Sequence, residues 1–109
     1  LGGMKKAKEI AFLGDRFTAA DAHECGLVNK VVPADQLASA TAKYATRLAA
    51  GPRDALARTK ALLNTAPEND LAEQLELEAK AFANCAGSHD FREGVSAFVE
   101  KRSPQFGKS

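Results

Sequence analysis

The sequence predicts an all-α fold of five or six short helices. Three observations predict it. Apolar residues recur at helical spacing along most of the chain. Glycine, proline and cap-forming residues punctuate those stripes at short intervals. A single short run has β character.

The first stripe is Met4, Ala7, Ile10 and Ala11, with Lys5, Lys8 and Glu9 pointing elsewhere. Gly14 fits the position just past the helix end, where a positive φ costs glycine nothing. Thr18 then fits an N-cap. Asp21 follows three residues later, close to a capping box with the shorter carboxylate in place of Glu. A short helix over 19–25 would close at Gly26. Leu27-Val28-Asn29-Lys30-Val31-Val32 is the β-like run, bounded by Gly26 and Pro33. It is too short to build a sheet alone and predicts an extended connector or one short strand.

After Pro33 and Asp35 comes the longest clear stripe, Leu37, Thr41, Tyr44 and Leu48. Gly51-Pro52 ends that helix and opens the next. Proline is tolerated at a first helical position because its missing N–H would have no intrahelical partner there. Leu56, Thr59, Lys60 and Leu63 carry this helix to Pro67 on a thinner face. Asn69 or Asp70 caps the following one, where Leu71, Leu75, Glu78, Phe82 and Cys85 share a side. Glu78 interrupts that stripe, so Ala79 and Ala86 are expected to share the packing. Gly87-Ser88 reads as a helix end followed by a cap. Phe91, Val95, Phe98 and Arg102, with Val99 beside Phe98, mark the last helix. Pro104 prevents its easy continuation. A helical domain is expected over 1–103 and a flexible tail over 104–109, loose unless Phe106 docks.

Composition narrows the function. The chain has 109 residues, 45% hydrophobic and 6% aromatic, enough for one small domain. Fifteen basic residues against 14 acidic ones leave a net charge of +1. That is no basic excess of the kind that grips a nucleic-acid backbone. No apolar run approaches the ~18 residues of a membrane-spanning helix, and no secretory leader follows Leu1-Gly2-Gly3-Met4-Lys5-Lys6. Two cysteines, Cys25 and Cys85, are too few for a disulfide framework, and their spacing is no zinc pattern. A soluble cytoplasmic protein with reduced thiols is expected, with no bound metal. Leu1 leads almost directly into a helical pattern, which suggests a trimmed chain or the tail of something longer. The stripes are narrow and alanine-rich. At roughly 25 cal/mol per Å² they bury too little to exceed chain entropy by much, so stability is expected to come from packing against something else.

Three segments in order carry a resemblance. The first is Leu13-Gly14-Asp15-Arg16-Phe17-Thr18-Ala19-Ala20-Asp21-Ala22, followed by Gly26-Leu27-Val28-Asn29-Lys30-Val31-Val32-Pro33. The second is Leu48-Ala49-Ala50-Gly51-Pro52, with Lys60 downstream. The third runs from Phe91-Arg92-Glu93-Gly94-Val95-Ser96-Ala97-Phe98 through Val99-Glu100-Lys101-Arg102-Ser103-Pro104-Gln105-Phe106. Together they resemble the C-terminal helical region of the enoyl-CoA hydratase/isomerase (crotonase) family over nearly the whole chain.

The resemblance implies a parent enzyme that hydrates 2-trans-enoyl-CoA, as in fatty-acid β-oxidation, or isomerises a related thioester. It also implies that the oxyanion-hole N–H groups and the catalytic acids belong to an upstream core. The chemistry agrees. Hydration needs a stabilised enolate oxygen and a positioned acid or base, and no residue here, Asp15 and Glu93 included, is assigned a catalytic role. Part of a coenzyme A site is implied to remain. By family position, Phe82 would meet the adenine and Lys101 a phosphate. A ring offers stacking area and an ammonium offers a compact positive charge. The CoA thioester is substrate, and no resident cofactor is implied. A homo-oligomer is implied too, trimeric or hexameric in the parent. The blander readings make Phe82 a core residue and Lys101 a solvated cation at a helix end. A rival hypothesis is a stand-alone helical interaction module with no CoA role.

Overall fold

The computed structural model describes residues 3–107. As the sequence predicts, the described residues are all-helical. They hold α1 (Gly3–Leu13), α2 (Ala19–Glu24), a 3-10 turn (Ala34–Gln36), α3 (Leu37–Ala49), α4 (Arg53–Thr65), α5 (Leu71–Ala86) and α6 (His89–Val99). The chain divides into two compact units, Leu1–Ala42 and Lys43–Ser109.

In the first unit, punctuation works as the residues dictate. α1 exits through Gly14 at φ 65, whose N–H donates to the Ile10 carbonyl at 3.2 Å. α2 opens with a reciprocal capping box. The Asp21 N–H donates to the Thr18 hydroxyl at 3.1 Å, and the Thr18 N–H donates to the Asp21 carboxylate at 2.8 Å. α2 closes through Gly26 at φ 73, with the Leu27 N–H reaching the Ala22 carbonyl at 2.8 Å. That six-to-one bond is the mark of a Schellman end. Of the two options for residues 27–32, the connector is observed, with no strand among the described residues. It is tied back to α2 by His23, whose Nδ1, in the tautomer that protonates it, donates to the Val28 carbonyl at 3.1 Å.

In the second unit α5 packs against both α4 and α6. The turn before α4 is tight at its glycine, since a Cβ at Gly51 would stand 3.0 Å from Leu56 Cδ1 and 3.2 Å from the Leu48 carbonyl oxygen. Pro52 is the N-cap of α4 rather than its first helical residue. Asp70, not Asn69, caps α5, in a box with Glu73. Asn69 instead donates to the Gln74 side chain at 3.0 Å. Ser88 caps α6, its hydroxyl accepting from the Phe91 N–H at 3.1 Å.

The interior is very small. Among the described residues only Ala22 (8% exposed) and Ala97 (1%) are buried. Both sit at the same place in a helix end, where the carbonyl accepts the six-to-one bond: Ala22 from Leu27 and Ala97 from Arg102. The α3 stripe of Leu37, Tyr44 and Leu48 stands exposed, as do Met4, Leu71 and Leu75. Phe98 is 85% exposed. The chain presents 9130 Å² to solvent.

Candidate functional site

Phe82 lies on α5, where the apolar stripe would have made it core. It is instead 65% exposed. An edge contact orients it, to Phe91 in the first turn of α6, with ring centroids 6.0 Å apart and planes at 89°. That T-shaped geometry fixes the orientation of the ring and leaves most of its surface open.

Lys101 follows the last turn of α6. The Glu100 N–H donates to Ser96, the Lys101 N–H to Phe98 at 3.3 Å and the Arg102 N–H to Ala97 at 3.0 Å. Lys101 itself takes φ 55, the one positive φ of a non-glycine residue among those described. The chain therefore turns back at this residue, and Arg102 meets Glu93. Nη1 donates to Oε1 at 2.6 Å and Nη2 to Oε2 at 2.9 Å, while Nε donates to Glu100 at 2.6 Å. The Gln105 N–H adds a bond to Glu93 at 2.8 Å, and the Gly107 N–H donates to Asp90 at 2.9 Å.

The guanidinium beside Glu93, followed by the Gln105 N–H, holds that carboxyl down to about 2. The same pairing raises the Arg102 pKa. A carboxylate held this firmly in its charged form serves poorly as a general acid or base near neutral pH. Asp15 lies exposed in the loop between α1 and α2.

Phe82 and Lys101 do not form one cluster. The Phe82 ring meets the start of α6, and Lys101 follows its end, about 15 Å farther along the axis. What the sequence did not show is that Arg102 is the partner of Glu93 and that the Gln105 and Gly107 N–H groups are tied back to α6. Phe106 lies over Gly94, where an added Cβ would stand 3.6 Å from its ring. Phe106 also joins Pro52, Cys85, Phe91, Val95 and Phe98 around an apolar cavity of about 400 Å³. Docking of Phe106 was the condition for an ordered tail, and the ring over Gly94 meets it. Residues 108 and 109 of the expected tail lie outside the described residues. Elsewhere the ion pairs Lys6–Glu9, Arg58–Asp54 and Lys80–Glu76 are local pairs on exposed helix faces, of the kind that adds little to stability. Among the described residues no group of three or more His, Cys, Asp or Glu is arranged to hold a metal ion. No helix there is long and apolar enough to cross a membrane.

A family model for enoyl-CoA hydratase/isomerase matches residues 2–109. The chain belongs to the enoyl-CoA hydratase/isomerase family. It is 42% identical over 107 residues to the 1,2-epoxyphenylacetyl-CoA isomerase of Escherichia coli K12, covering 97% of this chain and 40% of that one. It is 38% identical over 104 residues to the mitochondrial enoyl-CoA hydratase of Pongo abelii, covering 95% of this chain and 36% of that one. The crystal structure of an enoyl-CoA hydratase from Polaromonas sp. JS666 superposes with a TM-score of 0.90 at 36% identity, over 96% of this chain and 41% of the other. The chain thus spans about two fifths of the length of these family members. Its helices are a helical part of the enoyl-CoA hydratase/isomerase fold.

Proposed function

We propose that this chain supplies the coenzyme A-facing helices and subunit-contact faces of an enoyl-CoA hydratase/isomerase, as its C-terminal helical region. On this reading the groups that make and break bonds belong to the remainder of the parent enzyme. One observation carries it. The chain is comparably similar to a hydratase and to an epoxide isomerase. Those enzymes differ in reaction and share the CoA thioester in their names. A segment common to both is suited to serve the shared handle rather than either chemistry.

The residues fit that division. Hydration of a 2-trans-enoyl thioester places a water oxygen on C3 and a proton on C2, through an enolate-like oxygen that needs preorganised N–H donors. On this reading Asp15 and Glu93 are assigned no acid or base role. Its contribution is to binding: an open Phe82 ring for the adenine and the Lys101 ammonium for a phosphate. Binding energy gained on a remote handle can offset the cost of orienting the reacting carbon atoms. The exposed stripes of α3, α5 and α6 would serve as homo-oligomer seams, in a trimer or a pair of trimers. Cys25 and Cys85 are both free thiols, which accords with a cytoplasmic setting. The purified chain is expected to bind coenzyme A in a calorimetric titration and to leave crotonyl-CoA unhydrated. Turnover of crotonyl-CoA by the chain alone at an enzyme-like rate would overturn the reading.

A further inference from the structure

We infer that Glu93 and Arg102 are a positioning pair for Lys101, holding it in the left-handed conformation from which its ammonium is offered to a phosphate. The inference rests on the reading of Lys101 as a coenzyme A contact. Among the described residues, three helices end through a left-handed residue. α1 uses Gly14 at φ 65, α2 uses Gly26 at φ 73, and α6 uses Lys101 at φ 55. Glycine enters that region without steric penalty, whereas an L side chain crowds its Cβ against the following carbonyl. A residue so strained persists only where its surroundings over-determine it, and such residues concentrate at ligand sites.

The surroundings here are specific. A Schellman end is commonly closed by an apolar contact between the residue after the left-handed one and the helix. At α2 the residue after Gly26 is Leu27. At α6 it is Arg102, and the closing contact is a two-pronged ion pair to Glu93. A guanidinium fork fixes direction as well as distance. Its Nε is taken by Glu100, so both chain neighbours of Lys101 are tied into one cluster. Glu93 also accepts from Gln105, which secures the chain beyond. Lys101 is left projecting, with no carboxylate partner for its ammonium among the described residues. A simple solvated helix end would be served better by glycine.

The test follows the φ of Lys101 in the 109-residue chain by its HN–Hα coupling and Cα shift, with coenzyme A titrations alongside. Glu93→Gln and Arg102→Lys, which keeps the charge and loses the fork, are each expected to release Lys101 from the left-handed region. Each should weaken coenzyme A binding about threefold. Lys101→Gly is expected to keep the turn, raise the melting temperature and weaken binding about tenfold. Adding Glu93→Gln to Lys101→Gly should cause no further loss, the signature of a residue acting through its neighbour. A left-handed Lys101 retained in both clasp variants overturns the positioning role, whatever the ligand does. Unchanged coenzyme A affinity in Lys101→Gly, or no affinity in the parent chain, overturns the contact reading instead.

Discussion

Phe106 lies directly over Gly94, its Cε1 standing 3.6 Å from where a Cβ at position 94 would be. That is ordinary van der Waals distance, so the contact leaves room for one methyl group and little more. Gly94 sits inside α6, where glycine is costly relative to alanine. Gly94→Ala is expected to stabilise the chain by about 0.5–1 kcal/mol in urea unfolding. Gly94→Leu should displace Phe106 and free the tail, seen as loss of the Gln105 and Gly107 amide protection.

Acid should act through Glu93. Its folded value of about 2 lies below the ordinary 4.5, so folding favours the carboxylate form. The contribution is fully present above 4.5 and is lost as pH falls through 2. An NMR titration of the Glu93 side chain is expected to give a midpoint near the lower figure. In Glu93→Gln, acid sensitivity over that window should be reduced. A midpoint near 4.5 would mean the ion pair is absent in solution.

Ser88 starts α6 with a single side-chain cap to the Phe91 N–H. Ser88→Ala is expected to cost about 1 kcal/mol. Because Phe91 is the residue whose amide is capped, its ring contact with Phe82 should loosen as well. Ring chemical shifts of Phe82 would report this.

Apolar faces this open should find one another. Sedimentation velocity is expected to show self-association of the chain in the micromolar range. Phe98→Asp should shift it toward monomer while leaving the circular dichroism spectrum unchanged, since so exposed a ring contributes little to folding of the single chain. A monomer across that range for the parent chain would contradict the seam role.

The local chemistry of this fold was legible because its signals act over a few residues. Thr18 and Asp21 make the box that their spacing foretells. Asp70 rather than Asn69 caps α5 because Glu73 stands three residues beyond it and returns the bond. Two things were not legible. The stripe of Leu37, Tyr44 and Leu48 shows which face is apolar, but periodicity contains no information on what covers it. Glu93 and Arg102 are nine residues apart, which puts them on opposite sides of a continued helix at about 100° per residue. Only the reversal at Lys101 brings them together, and no glycine at that position announces the turn.

An interior of two alanines also bears on how the chain acquires its structure. Its regular elements are helices closed by neighbours in sequence, an arrangement that forms in microseconds because little loop entropy must be overcome. Docking of the greasy faces would then be bimolecular, so the slow phase of refolding should accelerate with protein concentration. Amide exchange from the isolated chain should be rapid in most turns, and slowest at the amides of Leu27 and Arg102, whose acceptors are the carbonyls of the two buried alanines.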